Sequence, residues 1–340
     1  MNELAPITLL TQQETAEERA HDFSPKTFDD YLGQAELKKK LALYTQAAKM
    51  RGEPLDHLLL FGPPGLGKTT LATIMAQIMG VDIKIASGPI LERTGDLVAL
   101  LSNLEPRDIF FIDEIHRMPS NVEEVLYTAM EQFSVDVIIG QGAGAKTVTL
   151  PLHPFTLIGA TTKSGMISAP LRSRFGIIER IDFYTDEELS HIVAQSASFL
   201  KLSLSAESSL LIAQCSRGTP RVAKKIVRRV RDFAQVHERA ADTAVVEEAL
   251  TFLGIDKDGL NTVDNLLLRK IIEQFDGGPV GVETLASLIG EDRETIENVL
   301  EPFLMRQGYL EKTPRGRQIP YKALSYLKNK FLGQKDLFSI

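Results

Sequence analysis

The chain has 340 residues, more than one hydrophobic core ordinarily holds, so two or three domains are expected. Hydrophobic residues make up 44% and charged residues 24%, ordinary globular values that exclude a mostly disordered protein. The 38 Lys and Arg against 45 Asp and Glu leave a net charge of −7, which excludes a uniformly basic nucleic-acid coat and confines any DNA contact to a local patch.

Residues 1–20 are polar without a sustained period and read as a flexible tail. The N-terminus lacks the basic region of a signal peptide, and no apolar run approaches a membrane span, so the cell interior is the expected compartment. From Tyr31 to Arg51 the apolar positions Leu37, Leu41, Tyr44 and Ala48 recur at helical spacing. The apolar strand Leu58–Phe61 runs into a Gly/Pro loop and a helix from Thr69 to Met79. Further strands are predicted at Val81–Ala86, Ile109–Ile112 and Phe155–Ala160, with helices between them, which means a parallel sheet covered on both faces. Val135–Ile139 and Thr147–Leu150 flank a glycine-rich stretch and predict an inserted β-hairpin at about 135–150.

After Tyr184 only helices are predicted. Thr185 with Glu188 forms a capping box for a helix ending at Phe199, Ser205 caps a second, Pro220 opens a third, and a fourth runs from Asp242 to Phe252. The lone cysteine, Cys215, reads as a small buried apolar residue. Gly254 and Gly259 mark a boundary before a small C-terminal domain. The expected domains are 21–183, 184–255 and 256–340.

The stretch from Gly62 to Thr69 fits G-x-x-x-x-G-K-[ST] and sits between a strand and a helix, the setting a phosphate loop requires. Small residues let successive backbone N–H groups close on phosphate oxygens, and the helix N-terminus faces the same anion. Lys68 is placed for the β- and γ-phosphates, and the Thr69 hydroxyl for Mg²⁺. Four apolar residues before Asp113 make a buried strand whose end delivers Asp113 to the Mg²⁺ shell and Glu114 to an attacking water. His116 fits a polar relay or a surface histidine. Thr162 ends the strand from Phe155, where a hydroxyl can sense the γ-phosphate. In Leu171–Gly176, two arginines before Phe175 could supply transition-state charge to a neighbouring site or form surface ion pairs. Arg221 lies in the first turn of its helix, where a cation opposes the dipole unless an anion is near. The basic residues from Lys224 to Arg231 read as a solvated or subunit-facing face.

Near the C-terminus, a short helix ending at Gly290 and a second from Asp292 to Gln307 have helix–turn–helix spacing. Gly308–Ile319 then reads as strand, basic turn, strand, the wing of a winged helix. From Arg306 onward eight basic residues face two acidic ones, eight minus two giving +6 on a net-acidic chain. No base-reading Asn/Gln set marks the second helix, which favours phosphate contact without sequence choice.

Taken together, DHLLLFGPPGLGKTTLA, NLEPRDIFFIDEIHR, PFTLIGATTKSG, LRSRFGI, RGTPR, GGPVG and TPRGR resemble the RuvB family of AAA+ ATPases, in order from residue 25 to 320. The resemblance implies an α/β AAA+ domain, an all-α lid and a winged-helix head, acting as an ATP- and Mg²⁺-dependent motor that migrates Holliday junctions. Phe23, Ser24, Gly65, Gly67, Lys68, Thr69, Thr70, Tyr184 and Arg221 would then bind nucleotide. Asp113 and Glu114 would be the hydrolytic acids, and Thr162 the first sensor. Arg174 would be the finger offered to a neighbouring subunit, with Glu131, Gln132 and Phe133 near the nucleotide at that boundary. Arg293, Lys312, Arg315 and Arg317 would contact DNA. The hairpin around Gln141–Lys146 would dock RuvA, with RuvC as a further partner and a hexameric ring as the assembly. Two positions depart from the family pattern: Ser24 replaces an arginine near the adenine, and Lys312 an arginine in the wing, keeping charge without the guanidinium fork. An AAA+ clamp or helicase loader is the alternative reading.

Overall fold

Leu58, Leu59 and Leu60 have no exposed surface, and this short apolar run is β1 (Leu58–Phe61) at the heart of a parallel sheet. The computed structural model describes residues 23–139 and 146–332. They form two compact units, Ser24–Tyr184, and Phe23 together with Thr185 onward. The expected tail and the Gln141 end of the hairpin lie outside the described residues.

In the first unit, α1 (Ala35–Arg51) begins four residues later than the periodicity predicts, because Gly33 and Gln34 adopt left-handed backbone. β1 leads into α2 (Lys68–Met79), followed by β2 (Ile83–Ser87), α3 (Thr94–Ser102), β3 (Ile109–Asp113) and α4 (Ser120–Gln132). The antiparallel hairpin of β4 (Ser134–Ile139) and β5 (Lys146–Pro151) precedes β6 (Thr156–Thr161), α5 (Ala169–Ser173) and β7 (Ile177–Arg180). The sheet order is β2-β3-β6-β1-β7, all parallel. β7 has no counterpart in the sequence reading. Its burial alternates, Ile177 and Glu179 half-buried and Ile178 and Arg180 exposed, an edge-strand pattern too short to register as an apolar run.

His57 locks this sheet to α4. Its Nδ1 accepts from the Leu157 amide at 2.9 Å, and its Nε2 lies 3.1 Å from the Met130 carbonyl, which fixes a neutral ring with the proton on Nε2. Burial pushes its pKa below the ordinary 6.5. The unfolded chain therefore takes up the proton first, and stability present above 6.5 drains away as pH falls through the lower folded value. The thermal midpoint, followed by circular dichroism, is expected to drop across that window and to drop less in His57→Gln.

The second unit opens with four lid helices, α6 (Asp186–Phe199), α7 (Ala206–Gln214), α8 (Pro220–Val236) and α9 (Thr243–Phe252), with Thr185 and Ser205 capping α6 and α7 where expected and Asp242, expected as the first residue of the fourth helix, capping α9. Lys225 and Arg228, expected on a solvated or subunit-facing face, are buried. Cys215 is buried as expected, and burial pushes its thiol up to about 12. The winged helix comprises α10 (Thr262–Phe275), α11 (Val282–Ile289), α12 (Arg293–Thr295), α13 (Glu301–Arg306), β8 (Glu311–Thr313), β9 (Gly316–Gln318) and α14 (Tyr321–Leu332). The predicted second helix runs as expected from its Asp292 cap to Gln307, with a π turn at Ile296–Leu300 joining α12 to α13. Pro302 carries no N–H and cannot continue a regular α ladder through this region. Among the described residues, no helix is long and apolar enough to cross a membrane.

Candidate nucleotide site

Open α/β sheets bind ligands beyond the carboxyl ends of their strands. Here the ends of β1, β3 and β6 converge, with Phe61 in register with Thr161 and Ile112 with Gly159. The loop leaving β1 closes tightly: a Cβ on Gly62 would lie 2.2 Å from the Ile181 carbonyl, so only glycine fits there. Gly67, at φ 95°, turns the chain into α2, and a Cβ there would meet the Tyr31 hydroxyl at 2.8 Å.

Tyr31 and Tyr184 brace the loop from behind. The Tyr31 hydroxyl donates to the Leu66 carbonyl at 3.0 Å, and the Tyr184 hydroxyl donates to Tyr31 at 2.7 Å. Tyr184, expected to touch nucleotide, is 1% exposed and reaches the loop through Tyr31 and directly at the Leu66 carbonyl, 3.3 Å away. Tyr31 escaped the sequence reading because its partner lies thirty-five residues away.

Lys68 folds back over the loop, its Nζ donating to the Gly62 and Pro63 carbonyls at 2.8 Å each. Burial lowers its pKa to about 8, with Asp113 and Glu114 pulling the other way. An anion in the loop would restore the charge. Affinity for MgATP should therefore weaken by about tenfold per pH unit once pH rises past the free-protein value of about 8. Calorimetric titration across that range tests this, and Lys68→Met should remove the dependence. Thr69 and Thr70 occupy the first turn of α2 beside Lys68.

Asp113 ends β3 and accepts from the Glu114 amide at 3.0 Å. Glu114 sits at φ 49°, a strained backbone for a non-glycine residue. Burial, and then the Asp113 charge, raise its carboxyl above the usual glutamate range. The Thr162 hydroxyl donates to its Oε2 at 3.3 Å, and His116 Nδ1 lies at the same distance. Thr161 Oγ1 is 2.9 Å from that nitrogen, so Thr161, His116, Glu114 and Thr162 form one polar chain. The His116 side chain is 3% exposed, which settles the choice between relay and surface histidine against the surface. Asp108, at the other end of the same strand, caps its start by accepting from the Asp82 and Glu105 amides. A hydroxyl on Thr69 and a carboxylate on Asp113 are the hard oxygen donors that suit Mg²⁺.

Arg174 belongs to a second cluster, on α4 and α5. Its Nε is 3.2 Å from Glu131, its guanidinium lies 4.5 Å over the Tyr127 ring, and Nη1 donates to the Pro170 carbonyl at 2.7 Å. Glu131 and Arg174, predicted separately, thus meet. Gln132 is exposed, whereas Phe133 packs edge-on against His57 and Phe155. Phe23 and Arg221 fall in the second unit: Phe23 packs against Phe199 and accepts from Lys224 at 2.6 Å, and Arg221 lies in the first turn of α8. Ser24 is exposed at the start of the first unit.

In the winged helix, Arg293 is exposed and paired with Glu297 and Glu283 at 3.2 and 3.1 Å. Lys312 reaches Glu301 at 3.2 Å, and Arg315 is exposed at the wing tip. Arg317 is different. Only 8% exposed, it is held by Glu301 at 2.5 Å and Glu297 at 2.8 Å, anchoring the wing to α13 and the π turn. Its backbone also pairs with Val280, in the Gly277–Gly281 stretch that carries a cis peptide before Pro279.

A strand that opens into a lysine-capped anion loop, with an acidic pair at the end of a parallel strand one removed from it in the sheet, defines the P-loop ATPases. The helical lid and winged helix that follow narrow the class to AAA+. Residues 23–181 match the family described as the Holliday junction DNA helicase RuvB P-loop domain, 184–256 the RuvB AAA lid domain, and 257–328 the RuvB C-terminal winged helix domain. The chain is 53% identical over 308 residues to the Holliday junction branch migration complex subunit RuvB of Ligilactobacillus salivarius (strain UCC118), covering 90% of this chain and 92% of that one. The structure of the Thermotoga maritima RuvB Holliday junction branch migration motor is 46% identical, with a TM-score of 0.81 over 90% of this chain and 98% of its own. A point mutant of that Thermotoga protein superimposes with a TM-score of 0.83, at 46% identity over 90% and 99% of the two chains. The chain belongs to the RuvB family.

Proposed function

We propose that this chain is the motor of Holliday-junction branch migration in recombination and DNA repair, hydrolysing ATP with Mg²⁺ as a hexameric ring that acts with RuvA and RuvC. The single observation that carries the hydrolytic half is Glu114, a raised-pKa carboxyl held by Thr162 and His116 beside a complete phosphate loop. Gly65, Gly67, Lys68, Thr69 and Thr70 hold the triphosphate, Thr69 and Asp113 hold Mg²⁺, and Mg²⁺ when bound neutralises charge on the phosphates. Glu114 orients the water and takes its proton, and Thr162 ties that carboxylate to the end of β6.

Phe23, Ser24, Tyr184 and Arg221 complete the nucleotide contacts in this reading, and Arg174 serves the neighbouring copy from the edge that also carries Glu131, Gln132 and Phe133. Arg293 on α12 and Lys312 and Arg315 on the wing meet the duplex backbone, while Arg317, first expected as a fourth contact but buried against Glu301, sets the wing that presents Lys312 and Arg315. The β4–β5 hairpin docks RuvA, and Val148 and Leu150 expose apolar surface on it.

Purified chain should hydrolyse ATP faster with a four-way junction and RuvA together than with either alone, and should move the branch point. Stimulation by a sliding clamp or a replicative helicase ring instead, with no branch movement, would favour the loader reading.

A further inference from the structure

Arg217 precedes Arg221 by four residues and looks, in the sequence, like one more cation of a basic stretch. Its side chain is instead buried at the meeting of the lid with the winged helix, both within the second unit. Arg217 is 6% exposed and its ion-pair partner Asp264 has no exposed side chain. A second guanidinium nitrogen donates to the Val299 carbonyl at 2.9 Å, and the guanidinium lies 4.2 Å over the Phe303 ring. All three partners are in the winged helix: Asp264 in the first turn of α10, Val299 in the π turn, and Phe303 in α13.

Both sides of the contact are rigid. Arg217 sits at φ 57°, two residues before Thr219, the residue that caps α8. Asp264 is fixed by a capping box, its carboxylate also accepting from the Asn261 amide at 3.0 Å. One planar fork thus serves a carboxylate, a carbonyl and an aromatic face at once, a combination an ammonium cannot reproduce. A further charged contact between lid and head among the described residues, Arg306 with Asp186 at 4.0 Å, is part-exposed and weak by comparison.

We infer that Arg217 is the positioning residue that makes the start of α8 and the helix–turn–helix move as one body. A displacement of the first turn of α8, where Arg221 lies, is then delivered to the π turn and to the wing that Glu297 and Glu301 hold through Arg317. This rests on the reading that ATP hydrolysis in this chain drives DNA movement.

The test uses the full chain in two variants, R217K and the pair R217M/D264L. The paired variant exchanges a buried ion pair for apolar volume, a change that often leaves a fold intact. Thermal melting, ATP hydrolysis without DNA, branch movement per ATP hydrolysed, and amide exchange over residues 296–303 are measured. Melting and DNA-free hydrolysis are expected to stay within about twofold of the parent, while exchange at the π turn rises and branch movement per ATP falls by about tenfold. Movement per ATP within about twofold of the parent, or unchanged exchange, overturns the inference. A loss of movement that merely tracks a loss of hydrolysis and of folded protein overturns it too, because it marks a purely structural role. If the paired variant does not fold, R217K is judged by the same thresholds. If the parent moves no junction, the proposed function fails, and exchange at 296–303 alone decides whether Arg217 ties lid to head.

Discussion

Replacing Glu114 by glutamine is expected to slow ATP hydrolysis by about 10²–10⁴-fold while leaving ATP binding within a few-fold of the parent. The amide keeps the hydrogen bond to Thr162 and nearly the same volume, so the loop and the nucleotide contacts stay in place. What disappears is the carboxylate proposed to take a proton from the attacking water. Single-turnover hydrolysis beside equilibrium nucleotide binding separates these effects, and equal losses in both would reassign Glu114 to binding. The raised carboxyl adds a second signature. Hydrolysis by the parent should fade on the acid side at a pH above the ordinary glutamate range, as the base becomes protonated, with binding less affected.

Arg174→Ala is expected to cost about 10³–10⁵ in turnover if its guanidinium completes a neighbour's site. Within its own chain that guanidinium, at the C-terminal end of α5, rests on Tyr127 and Glu131 of α4. Mixing Arg174→Ala subunits with Glu114→Gln subunits gives the sharper measurement. A subunit lacking the arginine keeps its own base, and a Glu114→Gln neighbour still carries the arginine, so mixed rings should regain hydrolysis that neither variant shows alone. No recovery at any mixing ratio would return Arg174 to a role inside its own subunit.

How much of this was legible in the chain depended on how far apart the partners lie. β1, the phosphate loop and α2 follow one another directly, and an apolar run feeding glycines, lysine and threonine announces itself without tertiary knowledge. The caps at Thr185, Ser205 and Asp242 are equally local. Tyr31 with Leu66, His57 with Met130 and Leu157, and Arg217 with Asp264 are joined only by folding, and the motifs that hold Leu66, His57 and Arg217 say nothing of those partners. Arg317 misled for a different reason. A cation beside a basic turn reads as solvated, yet Glu297 and Glu301 lie four apart on the preceding helical segment and both reach it. The π turn had one visible signal, Pro302, which the regular spacing of Ile296, Leu300 and Leu304 outweighed.

The ion pairs of the head change what its surplus of positive charge can do. Of the cations from Arg306 onward, Lys312 and Arg317 are neutralised by Glu301 and Glu297, Lys328 by Asp276, Lys330 by Asp256 and Asp258, and Arg306 faces Asp186. Among the described residues of that stretch, Arg315 and Lys322 are left outside the ion pairs. Each phosphate neutralised contributes about −0.9 to the logarithmic salt slope, so a head that meets a duplex as proposed would displace few condensed counterions and hold it loosely. In the proposed ring, a weak, quickly released foothold would suit a device that must let go in order to step, and firm tenure on the track would come from several such feet sharing the load.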